Sequence, residues 1–241
     1  FVEDGHVYFN TWYGAGKHKY RSASADDLIT FDTLYRLFRA GCAEKLDLRL
    51  SELGPIHSFL PRIDWTAYAA TSTARERLNA IAKSKRVFFD TVNCLSGQAN
   101  NFPLVPVLRN VALRRPKVTF FYTWAPQSVR ASLPRNCIWT RDVHGVKPGT
   151  VDLNENAFIS TYCQVIVGRN SSSYTFAQCY ENMIERPTHF VEFSQLPYPV
   201  LLGPMWIDRL KHKCILTHSQ TASRNEAIKL VLAGVDSARA S

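Results

Sequence analysis

Gln164-Val165-Ile166-Val167-Gly168-Arg169-Asn170-Ser171-Ser172-Ser173-Tyr174 is the stretch whose reading decides the fold. Gln164 to Gly168 reads as a strand buried on both faces. It runs into a polar elbow, Arg169 to Ser173, and then into a helical pattern from Tyr174 to about Arg186 that stops before Pro187. A further apolar run, His189-Phe190-Val191-Glu192-Phe193, closes the unit. Asp152-Leu153-Asn154-Glu155 opens it, with the Asp-x-x-Glu spacing of a capping box for a short helix through Thr161. Strand, small hydroxyl residues and helix start together form the arrangement in which α/β proteins hold phosphate. The first helical N–H groups lack partners within the helix, and the helix dipole favours negative charge there. Three hydroxyls and an arginine exceed what capping requires, since one side-chain acceptor suffices. Arg169 offers a planar fork to phosphate. The competing reading is a well-capped helix with Arg169 paired to an acid such as Glu181 or Asp152. Glu181, two turns into the helix, reads either as a ribose ligand or as a solvated helix glutamate.

The same alternation extends through the rest of the chain from about Arg86. Val87 to Val92, Val118 to Trp124, Cys137 to Thr140 and Lys213 to Thr217 are short, rich in β-branched and aromatic residues, and apolar throughout. Helical patterns lie between them, from Pro106 to before Pro116 and from Ser223 to about Ala233, the latter with Ala227, Leu230 and Val231 on one face. This order predicts an α/β fold, a Rossmann-like parallel sheet flanked by helices. A second elbow, Asn93 to Asn101, follows the Val87 strand and brings Ser96, Gly97 and Gln98 to the edge where such sheets bind ligands. Loop chemistry alone is the alternative explanation of that composition.

Residues 1–85 differ. A strand from His6 to Trp12 ends in Gly14-Ala15-Gly16-Lys17-His18, and Ser24 opens a helix whose face is Leu28, Phe31, Leu34, Tyr35 and Phe38. The glycine loop lacks both the third glycine of a dinucleotide fingerprint and the Lys-Ser/Thr of a Walker loop. A helix from Thr73 to about Lys83 follows. The expected organisation is a small first lobe, 1–85, and a nucleotide-binding domain, 86–241.

Composition narrows the function classes. The chain has 241 residues, 46% of them apolar, a formal charge of +9 and no apolar run long enough for a membrane helix. Its six cysteines contain no Cys-x-x-Cys pair, so neither a zinc site nor a disulfide framework is expected, and a reducing, cytoplasmic setting fits them. No leader pattern is evident, and Phe1 in place of a Met fits a fragment of something longer. Basic clusters at Lys83 to Arg86 and Arg114 to Lys117 each read as solvated helix ends, but their sum favours an anionic ligand, an acidic membrane surface or nucleic acid. Without a recognition motif, nucleic acid is not expected as a partner. No two aspartates stand at i, i+2, so the Asp-x-Asp metal pair of many sugar transferases is absent, and no metal or other cofactor is expected.

The run of strand, Ser96-Gly97 loop, helix, Asn136-Cys137-Ile138-Trp139-Thr140, an Asp152-Leu153 helix start and Val165 to Ser173 resembles the donor-binding domain of GT-B-fold glycosyltransferases, over roughly Arg86 to Gln195. Its elbow carries Asn170 to Ser173 where that family has glycines, and its first lobe is shortened. The resemblance implies a metal-independent enzyme that moves a sugar from a nucleotide-diphosphate donor to a glycan or other hydroxyl acceptor. The nucleotide sugar is then a substrate, not a cofactor. It also implies donor contacts at Ser96, Gly97, Gln98, Arg169, Asn170, Ser171, Ser172, Ser173 and Glu181. Arg169 would then stabilise the departing diphosphate, and His18 would be the base for the acceptor hydroxyl. The alternative is a non-catalytic nucleotide-sugar or partner-binding module of the same fold.

Overall fold

A computed structural model gives the architecture and describes residues 2–3, 6–7, 69–81, 85–93, 99–147, 152–169, 172–195 and 213–238. The chain forms two compact units, Phe1–Phe59 with Val200–Leu210, and Leu60–Pro199 with Lys211–Ser241. Of the first unit only an antiparallel pair is described, β1 (Val2–Glu3) and β2 (His6–Val7). The expected Gly14–His18 loop and the helix from Ser24 lie outside the described residues.

The second unit is built on six parallel strands: β3 (Arg86–Phe89), β4 (Thr119–Tyr122), β5 (Cys137–Trp139), β6 (Val165–Arg169), β7 (His189–Phe193) and β8 (Ile215–Ser219). Their spatial order is β5-β4-β3-β6-β7-β8. The chain therefore steps outward from β3 in one direction, then returns to pair β6 against the free side of β3 and steps outward in the other. That reversal between β3 and β6 is the switch point of a doubly wound, Rossmann-like sheet.

Side-chain alternation sorts the strands' residues onto two buried faces. Val87, Phe89, Phe120, Tyr122, Val165, Val167, Val191 and Phe193 pack on the apolar stripes of α2 (Leu104–Arg114) and α7 (Arg224–Ser237). Phe88, Phe121, Ile166 and Phe190, buried just as fully, turn to the other face. There α5 (Leu153–Ser160) packs on β3 and α6 (Ser172–Phe176) on β6, while α4 (Thr140–His144) lies at β5 and α1 (Ala69–Ala80) covers α4 and α5. A short α3 (Gln127–Arg130) lies in the β4–β5 connection. Each buried Val or Phe adds about 1.5–3 kcal/mol to the hydrophobic term, which explains why these strands carry no polar alternation.

Three expectations need correction. The Tyr174–Arg186 helix is broken: α6 ends at Phe176, and Glu181–Glu185 forms a separate π-helical turn. The Asn182 amide causes the break by donating to the Ala177 carbonyl (2.8 Å) and to Ser160 Oγ (2.8 Å), which takes a carbonyl that a continuous helix would use. Asp152 does not cap α5; its carboxylate is drawn to Arg141 Nε (3.1 Å), a charged partner stronger than a neutral N–H, and lies 3.6 Å from His144 Nε2. The last strand lies two residues later than Lys213–Thr217 suggested.

The basic clusters are partly structural. Lys85 Nζ donates to the Val235 carbonyl (2.6 Å), which ties α7 to the start of β3, and Arg115 grips Asp236 with two nitrogens (2.7 and 2.5 Å), which ties α7 to the end of α2. Among the described residues no helix is long and apolar enough to cross a membrane, and no three His, Cys, Asp or Glu side chains gather as a metal-binding group.

Candidate functional site

The carboxyl ends of the strands carry a connected polar layer centred on the switch point. β3 ends its apolar run at Asp90, whose N–H still reaches the Val167 carbonyl of β6 (2.8 Å). The Asp90 carboxylate, 1% exposed, accepts three hydrogen bonds: from Thr123 Oγ1 (2.8 Å), from the Tyr174 N–H in the first turn of α6 (3.1 Å) and from the Val92 N–H (3.3 Å). Burial pushes this carboxyl up to about 6, although all three hydrogen bonds and the charge of Arg169 pull it down. Thr91 extends the layer to β4: its N–H donates to Thr123 Oγ1 (3.1 Å), and its hydroxyl exchanges hydrogen bonds with the backbone of Trp124.

Arg169, at the end of β6, is fully buried. Its guanidinium donates to the carbonyls of Val92 (3.0 Å), Asn100 (3.0 Å) and Phe102, and lies over the Phe102 ring. It thereby clamps both ends of the loop that follows β3. Asn100 carries the lacing to the far strands, donating to the Gln220 carbonyl (3.1 Å) and accepting from Gln195 Nε2 (2.9 Å). Gln220 Nε2 donates in turn to the Gln195 carbonyl (2.8 Å). Residues that follow β3, β4, β7 and β8 are thus fastened with the end of β6 and the start of α6 into one edge.

A second buried carboxyl lies behind α6. Glu192 of β7 has no exposure, its Oε1 has no hydrogen bond, and Tyr174 Oη lies 3.5 Å from its Oε2. Burial raises Glu192 to about 8 and, with the neighbouring Glu192, pushes the Tyr174 phenol well above its ordinary value. The Tyr174 ring meets Phe190 edge-on at 6.0 Å.

The residues singled out from the sequence divide accordingly. His18, Ser96, Gly97, Gln98, Asn170 and Ser171 lie outside the described residues. Ser172 opens α6. Ser173 is buried, and its hydroxyl accepts from Asn156 Nδ2 (3.2 Å). Arg169 turns its fork to main-chain carbonyls. Glu181 sits on the π-helical turn, beyond the break after α6, with Oε2 buried and without a hydrogen bond. Asp90, Thr91, Thr123 and Glu192 were not singled out. The signal for Asp90 was present, because a carboxylate directly after Val87-Phe88-Phe89 has no place in a buried strand unless a partner waits at its end.

Neither a family model nor a curated protein matches the sequence. Among solved structures, the chain is similar to ADP-heptose lps heptosyltransferase II of E. coli, with a TM-score of 0.42 and 13% identity over 79% of this chain and 56% of that one. It is also similar to a glycosyl transferase family 9 protein of Veillonella parvula DSM 2008, with a TM-score of 0.41 and 11% identity over 72% of this chain and 52% of that one. The chain spans about half the length of these two structures.

Proposed function

We propose that the carboxyl edge of this sheet binds the nucleotide-diphosphate part of a sugar donor, and that the chain serves a glycosyltransferase. The observation that carries the reading is the fastening of β3's carboxyl end, Val92 and Asn100 to the end of β6 and the start of α6 at the switch point, by Arg169 and Asp90. Ligands of doubly wound sheets bind in that crevice, and groups already fastened to one another lose less ordering entropy on binding. Trp124, 49% exposed at the end of β4, offers a ring face for a planar base. The clamped Arg169 supplies positive charge from beneath the edge rather than a direct fork to phosphate. Transfer would then rest on fixed dipoles that meet the charge growing on the departing diphosphate.

Calorimetry with UDP, GDP, ADP and TDP tests this. Binding of at least one of them below millimolar is expected, and failure of all four overturns the reading. A second reading, binding without transfer, is favoured by one observation: an α6 N–H and the Arg169 fork are both already engaged within the fold. Release of free sugar or of a glycosylated acceptor from a nucleotide sugar would exclude it.

A further inference from the structure

Asp90 stands apart among the buried polar groups because its three hydrogen bonds come from three directions. They arrive from beyond β4 through Thr123, from the first turn of α6 through Tyr174, and from the loop after β3 through Val92. Arg169 adds its charge from β6. The carboxylate thus places a negative charge, from inside the fold, against the Tyr174 N–H. A second anion brought to the same edge meets that charge through protein rather than through water, where screening is weak.

We propose that Asp90 is the positioning residue of this site, fastening Val92, Thr123 and the first turn of α6 to one another, and that it takes up a proton when a diphosphate binds at the edge. The proposal rests on the donor-site reading. Among the described residues, the charged and titratable groups facing Asp90 are Arg169 from β6 and Tyr174 from α6, whose phenol is directed to Glu192 of β7. Thr123, Thr91 and Val92, from β4 and the loop after β3, do not titrate. The raised position of the carboxyl, about 6, makes a proton available to it at modest cost near neutral pH. Protonation removes the like charge while the carboxyl keeps an oxygen on the Tyr174 N–H.

The test uses the whole chain with UDP-glucose, GDP-mannose and ADP-glucose, whose diphosphates do not titrate between pH 5 and 8. Calorimetry at pH 5.5 and 7.5, in buffers of different ionisation heat, reads affinity and proton uptake together. A rise of one unit in the Asp90 pKa on binding corresponds to about tenfold in affinity, so binding roughly three- to tenfold tighter at pH 5.5 is expected, with net proton uptake. Asp90→Asn should bind equally at both pH values with no uptake. Wild-type binding without uptake, or uptake that persists in Asp90→Asn, overturns the proposal and leaves the donor reading intact.

A readout independent of ligand is the Tyr174 amide resonance, expected to titrate near pH 6 in the wild type and to be flat in Asp90→Asn. Thr123→Val removes one hydrogen bond that holds the carboxyl down, so it should move that midpoint upward; this arm serves if Asp90→Asn does not fold. A Tyr174 amide that ignores pH overturns the fastening role whatever the ligand does. If no nucleotide sugar binds at either pH, the donor reading and the coupling fail together, while a titrating Tyr174 amide would still place Asp90 at the start of α6.

Discussion

At Arg169 a full positive charge sits at 0% exposure and spends its donors on the carbonyls of Val92, Asn100 and Phe102. Truncation would leave three carbonyls short of a donor in a place water does not reach, each at a desolvation cost. Arg169→Ala is therefore expected to lose about 3–5 kcal/mol of unfolding free energy, the range for breaking a buried charged network. Arg169→Lys should lose less, because it keeps the charge but cannot span three acceptors. Chemical denaturation of both variants checks this, and an alanine variant as stable as wild type would show that the clamp contributes nothing. The residue type was legible in the sequence, since a planar fork suits several oxygens at once. Its partners were not: Asn100 lies 69 positions away, and only the adjacency of β3 and β6 brings the two together. Asp90 has the same history, with its Tyr174 partner 84 positions away.

Gly168 decides how α6 lies on the sheet. A Cβ placed there would stand 2.7 Å from Tyr174 Cδ2 and 2.9 Å from Tyr174 Cβ, and the latter belongs to the rigid root of the side chain. Gly168→Ala must therefore push α6 off β6, strain the Tyr174–Phe190 contact and loosen the Asp90 hydrogen bond. A loss of about 1–3 kcal/mol is expected, as for other overpacked sites, together with faster exchange of the Tyr174 amide. Unchanged stability in thermal melts would mean that the elbow yields freely. The strands were the most legible elements, because runs such as Phe190-Val191 and Val165-Ile166-Val167 have no reading except burial on both faces. Helix extents were less so. Nothing local to Tyr174–Arg186 shows that Asn182 will cap the Ala177 carbonyl. Nor does the Asp-x-x-Glu spacing at Asp152 reveal Arg141 and His144 waiting beside it.

Across the whole second unit, buried carboxyls set the pH response. Folding raises Asp90 to about 6 and Glu192 to about 8, so both bind protons more tightly in the folded state than in the unfolded one. Their contribution to stability is complete below the ordinary carboxylate range and is lost as pH rises through those two values. Asp152 works in the opposite sense. Burial pulls it up, but the Arg141 guanidinium and the neighbouring His144 ring outweigh that and hold it low, so its contribution is lost in acid. Stability should peak on the mildly acidic side. Glu192→Gln should gain roughly 1–3 kcal/mol over wild type at pH 8 and little at pH 5, because the amide has no charge to desolvate. Equal gains at both pH values would show that Glu192 is not ionising across that window.

The sheet order has a further consequence, for how the molecule comes into being. On the β3–β4–β5 side the paired residues lie 33 positions apart (Arg86↔Thr119) and 17 apart (Phe120↔Cys137), whereas β6 must find β3 across 78, as in the Val87↔Val165 pairing. Distant pairings are slow to form because the closure entropy is lost before any contact repays it. During synthesis β3 therefore waits with one edge open until β6 has emerged. The loop after β3 has no clamp until Arg169 arrives with that strand. A ribosome-bound chain cut short before residue 165 would hold half a sheet and no switch point, and the Arg169 clamp would form in the same step that completes the fold.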